Sequence, residues 1–387
     1  MTPAARVQAA IEVLDAMAGG QAAEQALTRW ARGARYAGSK DRAAVRDHVF
    51  SVLRRRRSCA ALGGGETGRA LMLGHVRDEG RDPETTFTGE GHAPAPLTAE
   101  ERSAGRPPAP DEARDLPDWL WSRFEADLGA EATAAAAALR HRAPVFLRHN
   151  PRLKTIPDVL EMLSKDGISA EPMPEIDGAL HVTEGSRRVA QAEAFRGGHV
   201  ELQDASSQAA MAAVPVPPGA RVLDFCAGGG GKVLALAARH EGTWFAHDAA
   251  PERMRDLPAR AARAGVTVTS LAPEAVAGAA PFDIVLCDVP CSGSGTWRRT
   301  PEAKWALTPD RLEALCATQR DILEHAQGLV RPGGLLVYTT CSVLSVENEA
   351  QVAAFEAAHP GWRREGSRRW LISDRGDGFY LATLRRP

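Results

Sequence analysis

Apolar residues recur at helical spacing through the first part of the chain. Val7, Ile11 and Leu14 fall at i, i+4 and i+7, and Val45, Val49 and Val52 repeat the pattern with Leu53 beside them. Gly19-Gly20 and Gly38-Ser39 punctuate these segments, and Ser39 or Asp41 is placed to cap the helix carrying Val45. Residues 1–80 are therefore expected to form an all-helical module. Residues 81–115 break the pattern: Gly89-Glu90-Gly91-His92-Ala93-Pro94-Ala95-Pro96 and Arg106-Pro107-Pro108-Ala109-Pro110 read as a mobile linker. Leu116 to Arg142 resumes as helix, with Trp119, Leu120, Phe124 and Leu128 on one face. Val145 to Arg148 and Ala179 to Val182 read as strands about a helix at Ile156 to Leu163, so residues 116–198 are expected to hold a helical connector and a small α+β subdomain.

From residue 199 to 387 strands and helices alternate in βαβ fashion. Strands are expected at Arg221–Phe225, Thr243–Ala246, Val266–Ser270, Phe282–Cys287, Leu335–Thr339, Arg369–Ile372 and Phe379–Leu384, with helices at Lys232–Arg239, Pro251–Ala264 and Pro309–Val330. Five βα units followed by a strand pair outline a Rossmann-like α/β domain. No internal repeat is evident.

Composition adds limits. A chain of 387 residues with 44% hydrophobic and 25% charged residues has the size of two or three domains with sizeable cores. The net charge of -2 conceals arginine clusters at 54–57, at 140 and 142, at 298 and 299, and at 363, 364, 368 and 369. Arginine suits bidentate phosphate contacts and stacking on bases, although each cluster is equally readable as a solvated face. The six cysteines include no CxxC pair and no Cys/His ligand spacing, which points to reduced thiols in a cytoplasmic protein and to no metal site. Glu12 and Asp15 interrupt the alanine-rich start, and no apolar run approaches about 20 residues, so neither a signal peptide nor a membrane span is expected.

The candidate chemistry lies where strands end. Asp224-Phe225-Cys226-Ala227-Gly228-Gly229-Gly230-Gly231-Lys232 forms a strand-to-helix turn whose glycines admit a ligand to backbone amides. Asp248, at the end of the next strand, is placed to bond ribose hydroxyls, and together they suit an adenosyl cofactor. Cys291 and Cys341 each follow a strand into a Ser-containing turn, and Asp288 precedes Cys291 by three positions. Paired thiols with an acid at such an edge suit nucleophilic addition to an electron-poor ring. Cys59, Cys226, Cys287 and Cys316 read as small buried hydrophobes. Thr296-Trp297-Arg298-Arg299-Thr300-Pro301-Glu302-Ala303-Lys304-Trp305 interleaves cations with indoles, as a flipped-base or single-stranded RNA channel does, although each Trp singly is more often core.

These strings resemble the bacterial Sun/RsmB-type RNA cytosine-5 methyltransferases. The resemblance is carried by Asp224 to Lys232, Asp288 to Gly295, Arg298 to Trp305, Thr340-Cys341-Ser342 and Glu347-Asn348. Gln203 to Gln208, Leu147-Arg148-His149-Asn150, Asp377 to Tyr380 and the helical Arg6 to Arg57 stretch add to it. It implies an all-α NusB-like N-terminal domain, a small α+β RNA-binding subdomain and a Rossmann-like domain using S-adenosylmethionine. It also implies methylation of carbon 5 of a cytidine in small-subunit ribosomal RNA by a monomer that binds neither DNA nor membrane. The roles implied are Cys341 as nucleophile, Cys291 as assistant in elimination, Asp288 as the base-contacting acid and Lys304 as a contact inside the site. The implied cofactor residues are Cys226, Ala227, Gly228, Gly229, Gly230, Gly231, Lys232, Asp248, Arg253 and Asp288. Two departures stand out: Gly229 replaces the family's proline, and Thr269 or Ser270 stands where an acid usually ends the third strand, so weakened adenine recognition is expected. The rival readings are a transfer RNA substrate and a non-catalytic RNA-binding assembly factor.

Overall fold

The apolar stripes at the start of the chain bury themselves on one another. Helices Pro3–Ala18, Ala23–Gly33, Ser39–Arg54, Arg56–Gly63 and Gly68–Asp78 pack around Val7, Ile11, Leu14, Val45, Val49 and Val52. Thr2 and Thr67 cap two of them by accepting from the amides of Ala5 and Ala70. The computed structural model describes residues 1–387 and resolves two units: Met1–Arg142 with Trp297–Ala306, and Ala143–Thr296 with Leu307–Pro387. No helix is long and apolar enough to cross a membrane.

One expectation for the helical unit needs correction. Residues 81–115 are not a linker but part of this unit, because the irregular stretch buries Phe87 and Leu97 in the helical core. Arg77 bonds the carbonyls of Leu62 and Ala104, both at 2.7 Å, and Arg69 pairs with Glu101. Asp115 closes the stretch, fully buried, accepting from the Ser58 amide and hydroxyl and from Arg140. Proline and glycine kept the regular structure here to short pieces, a helix at Ala99–Ser103 and single turns at Pro83–Thr85 and Glu112–Arg114, without preventing packing. The helices Asp118–Leu128 and Ala132–Leu139 also pack with this unit.

The second unit contains both sheets. Strands β1 (Val145–His149), β2 (Ser169–Pro172), β3 (Ala179–Glu184) and β4 (Val200–Leu202) form an antiparallel sheet in the order β2-β3-β1-β4, covered by helix Ile156–Lys165. The larger sheet comprises β5 (Ala220–Asp224), β6 (Gly242–Ala246), β7 (Val268–Ser270), β8 (Phe282–Asp288), β9 (Val330–Thr340), β10 (Arg363–Trp370) and β11 (Phe379–Arg385). Their order is β10-β11-β9-β8-β5-β6-β7, with β5 to β9 parallel and β11 antiparallel to β9. Separate apolar clusters bury its faces, one including Val222, Ile284 and Val337 and the other Leu223, Val285 and Leu336, as alternation along each strand requires. The order makes β5, β8 and β9 neighbours, with Asp224 opposite Leu286 and Asp288 opposite Thr339, so their turns open side by side. The expected strand at Arg369–Ile372 occurs upstream, as β10, and the expected helix Pro251–Ala264 divides into Pro251–Met254 and Leu257–Arg263.

Candidate active site

The glycine-rich turn leaves β5 and enters the helix Gly231–Arg239. Gly230, just before that helix, has a left-handed φ of 78°, and a Cβ there would lie 2.2 Å from Leu257 Cδ1, so both backbone and space demand glycine. Asp224 is buried at the base of the turn. Its Oδ2 accepts from the Val233 amide at 3.3 Å, while Oδ1 is buried with no partner. Burial and the nearby Asp288 charge push the Asp224 carboxyl up to about 7. Asp248 is also buried and braces the turn, accepting from the Gly228 amide at 2.9 Å, the Ala250 amide at 3.0 Å and the Arg253 guanidinium. Gly229 sits where the resemblance has proline, and its carbonyl is held by Arg260.

Beside this turn, the ends of β8 and β9 bring two sulfurs together. Cys291 Sγ and Cys341 Sγ are 3.4 Å apart, both half-buried, although 50 residues separate them in sequence. The Cys341 thiol is lowered by the hydrogen bond from Cys291, against the effect of burial, with the Lys232 ammonium assisting. The same bond, with burial, raises Cys291 well above an ordinary thiol. The pair is thus asymmetric, with the negative charge favoured on Cys341. Lys232 Nζ is 2.5 Å from Asp288 Oδ2, and Asp288 Oδ1 accepts from Thr339 Oγ1 at 3.2 Å. Burial works against the Lys232 ammonium, but Asp288 outweighs it and the lysine is raised.

Of the candidate residues, Cys226 to Lys232, Asp248, Arg253, Asp288, Cys291 and Cys341 all belong to the second unit. Lys304 belongs to the helical unit. Its ammonium is buried and donates to the Arg54 carbonyl at 2.8 Å, and burial lowers it to about 7. The expectation of an RNA channel along Thr296 to Trp305 gives way here for the same reason. Trp297 is fully buried and stacked on Phe124, and Trp305 Nε1 donates to the Leu53 carbonyl at 2.7 Å, so these indoles are anchors of a core. Cys59 and Cys287 are buried and raised by burial, and Cys226, half-buried, is raised by the same cause. The end of the short strand β7 exposes Thr269 and Ser270, with no acid.

Sequence reasoning missed how the small sheet supports the site. Arg148, on β1, is buried and donates to the Gly231 carbonyl at 2.8 Å and to Gln203 Oε1 at 2.6 Å. Asn150 donates to the carbonyls of Gly198 and Ala264. Arg148 therefore braces the glycine-rich turn, while Asn150 ties the end of β1 to the Gly198 and Ala264 carbonyls. The signal was an arginine inside an apolar strand and an asparagine just after it, where an unpaired buried polar group is costly.

A seven-stranded Rossmann-like sheet in this order, with a glycine-rich turn after β5, is the fold of the methyltransferase class. The solved structure of PH0851 shares it at a TM-score of 0.75 and 22% identity, covering 100% of this chain and 99% of that one. A methyltransferase homologue from Pyrococcus horikoshii aligns over 71% of this chain and 96% of its own at a TM-score of 0.62 and 24% identity. Residues 211–385 match the family described as 16S rRNA methyltransferase RsmB/F, and residues 116–188 match the ferredoxin-like domain of the same group. A ribosomal RNA small subunit methyltransferase B of Xanthomonas campestris is 38% identical over 261 residues, 65% of this chain and 59% of that protein. The chain belongs to the RsmB/F methyltransferase family.

Proposed function

We propose that the protein methylates carbon 5 of a cytidine in small-subunit ribosomal RNA through a covalent adduct on Cys341. The observation that carries this is the sulfur pair at 3.4 Å, beside the Lys232–Asp288 pair and the glycine turn. The turn suits S-adenosylmethionine: nothing lies within 4 Å of where a Cβ on Gly231 would sit, and the orphaned Asp224 Oδ1 is a buried acceptor for a cationic amine. Cys226 to Lys232 would hold the cofactor, with Asp248 and Arg253 on its ribose side. When bound, S-adenosylmethionine supplies the methyl group.

The residues of the chain do the rest. The Cys341 thiolate forms a bond to carbon 6 of the cytosine, which places an electron pair on carbon 5, while Asp288, contacting the N3 and exocyclic-amine edge of the ring, helps absorb the resulting charge. Once the Cys341 sulfur is a thioether, the hydrogen bond that raised Cys291 is gone, so Cys291 can give up its proton to water and, as thiolate, assist removal of the carbon-5 proton. The electrons of that C–H bond reform the ring double bond and expel Cys341. The helical unit would be a NusB-like RNA-binding domain, and Lys304 would act through that unit. The names of the curated relatives support ribosomal over transfer RNA, and the intact thiol pair disfavours a non-catalytic assembly factor. Bisulfite sequencing of ribosomal and transfer RNA from a strain lacking the protein should show one small-subunit cytidine losing its protection. Loss confined to transfer RNA would refute the ribosomal assignment.

A further inference from the structure

Glu347 has no part in the chemistry above, yet it is fully buried in the turn Ser345–Glu347 beyond β9. Its Oε1 accepts from the Ser292 amide at 2.7 Å and from Gln319 Nε2 at 3.1 Å. Its Oε2 accepts from the hydroxyls of Ser292 and Ser342, each at 2.5 Å. Ser292 directly follows Cys291, and Ser342 directly follows Cys341. One carboxylate therefore grips the chain immediately beyond each sulfur.

Counting protons makes the arrangement directional. With both serine hydroxyl protons aimed at Glu347, Ser342 Oγ is left to accept from the Ser294 hydroxyl at 2.8 Å and the Leu344 amide at 3.0 Å. Ser294 Oγ in turn accepts from the Val343 amide at 2.9 Å. The next residue completes the brace: Asn348 donates to the Ser342 carbonyl and accepts from Thr340, whose hydroxyl takes the Ser342 amide. A buried carboxylate is costly unless hydrogen bonds satisfy it, and such groups are best attested where they fix one arrangement among several.

We infer that Glu347 is a positioning residue that locks the Cys291 turn to the Cys341 turn and thereby sets the approach of the two sulfurs. This rests on the proposal that the two thiols work together, and its test uses a reaction that needs no methyl transfer. Diamide oxidises two adjacent thiols: an S–S bond forms, and the two electrons and two protons reduce its N=N bond to a hydrazine. The rate of the Cys291–Cys341 disulfide, read by mass spectrometry of the linked peptides, reports how often the sulfurs meet. Glu347→Gln keeps one acceptor oxygen but sets an amide donor against two of the four donors, and misplacement on the ångström scale costs up to about 100-fold. The expected rate is ~10- to 100-fold below wild type, with native near-UV circular dichroism. A folded Glu347→Gln protein that closes the disulfide at the wild-type rate overturns the inference.

Should that variant not fold, Ser292→Ala and Ser342→Ala each remove one donor and keep the carboxylate; wild-type rates in both would overturn it equally. Slowed disulfide closure with a lower kcat and unchanged KM on a 16S ribosomal RNA transcript supports the whole chain of inference. Slowed closure with unchanged methylation would keep the positioning role of Glu347 and refute the joint catalytic role of the thiols.

Discussion

Replacing Cys291 by alanine should make Cys341 a poorer thiolate. At 3.4 Å the Cys291 thiol donates to the Cys341 sulfur, and this bond is the largest influence lowering Cys341. A hydrogen bond to a charged group contributes about 1.5–3 kcal/mol, and one pKa unit corresponds to about 1.36 kcal/mol. The alkylation profile of Cys341 should therefore move to higher pH, moderated because the smaller alanine admits water that solvates the thiolate. Cys291→Ser keeps a donor in place and should shift Cys341 much less. The assay is the rate of alkylation by iodoacetamide between pH 5 and 9, followed on the Cys341 peptide by mass spectrometry. Burial raises Cys59, Cys226 and Cys287, so they react more slowly and do not obscure the signal. A Cys291→Ala profile that coincides with wild type, or moves to lower pH, would refute the assignment of Cys291 as donor and Cys341 as thiolate.

Lys304 gives a pH test of the helical unit. Its ammonium falls from 10.5 to about 7 on folding, so between those values the unfolded chain binds the extra proton and stability should climb with pH. The contribution is fully present above pH 10.5 and is lost as pH falls through about 7; Lys304→Met should flatten that climb in urea titrations, and an unchanged slope contradicts the placement. Trp297→Ala removes a fully buried ring stacked on Phe124 and should cost about 3–5 kcal/mol in the same titrations, whereas a cost near zero would mean the ring is not core. Ser270→Asp restores an acid at the exposed end of β7 and should tighten S-adenosylmethionine binding by equilibrium titration; unchanged affinity removes the missing acid as a deficit.

The strand-end motifs were legible because each carries residues whose types have few other uses at a sheet edge: a run of glycines, two cysteines in serine-containing turns, and an acid just before one of them. What they did not give was adjacency. Cys291 and Cys341 meet because β8 and β9 are parallel neighbours with Asp288 opposite Thr339, a register that spacing along the chain does not encode. The segment from Trp297 to Trp305 misled for a related reason, since arginine and tryptophan serve RNA platforms and buried anchors alike. Its partners, Leu53 and Arg54, lie about 250 residues away. Phe87 and Leu97 were the overlooked signal that residues 81–115 pack, as large apolar side chains in a proline-rich stretch need somewhere to be buried. Strand β10 eluded its bounds because it is an edge strand, paired only with β11, and its arginines break the apolar alternation.

The division of labour between the sulfurs is tested most directly by trapping. Incubated with a 16S ribosomal RNA transcript and S-adenosylmethionine, the Cys291→Ala protein should accumulate an RNA-linked species that migrates slowly on a denaturing gel, because attack by Cys341 proceeds and its release does not. Cys341→Ala should give no such band. A band from Cys341→Ala and none from Cys291→Ala would reverse the roles, and its absence from both, with methylation intact in the wild type, would contradict attack by Cys341.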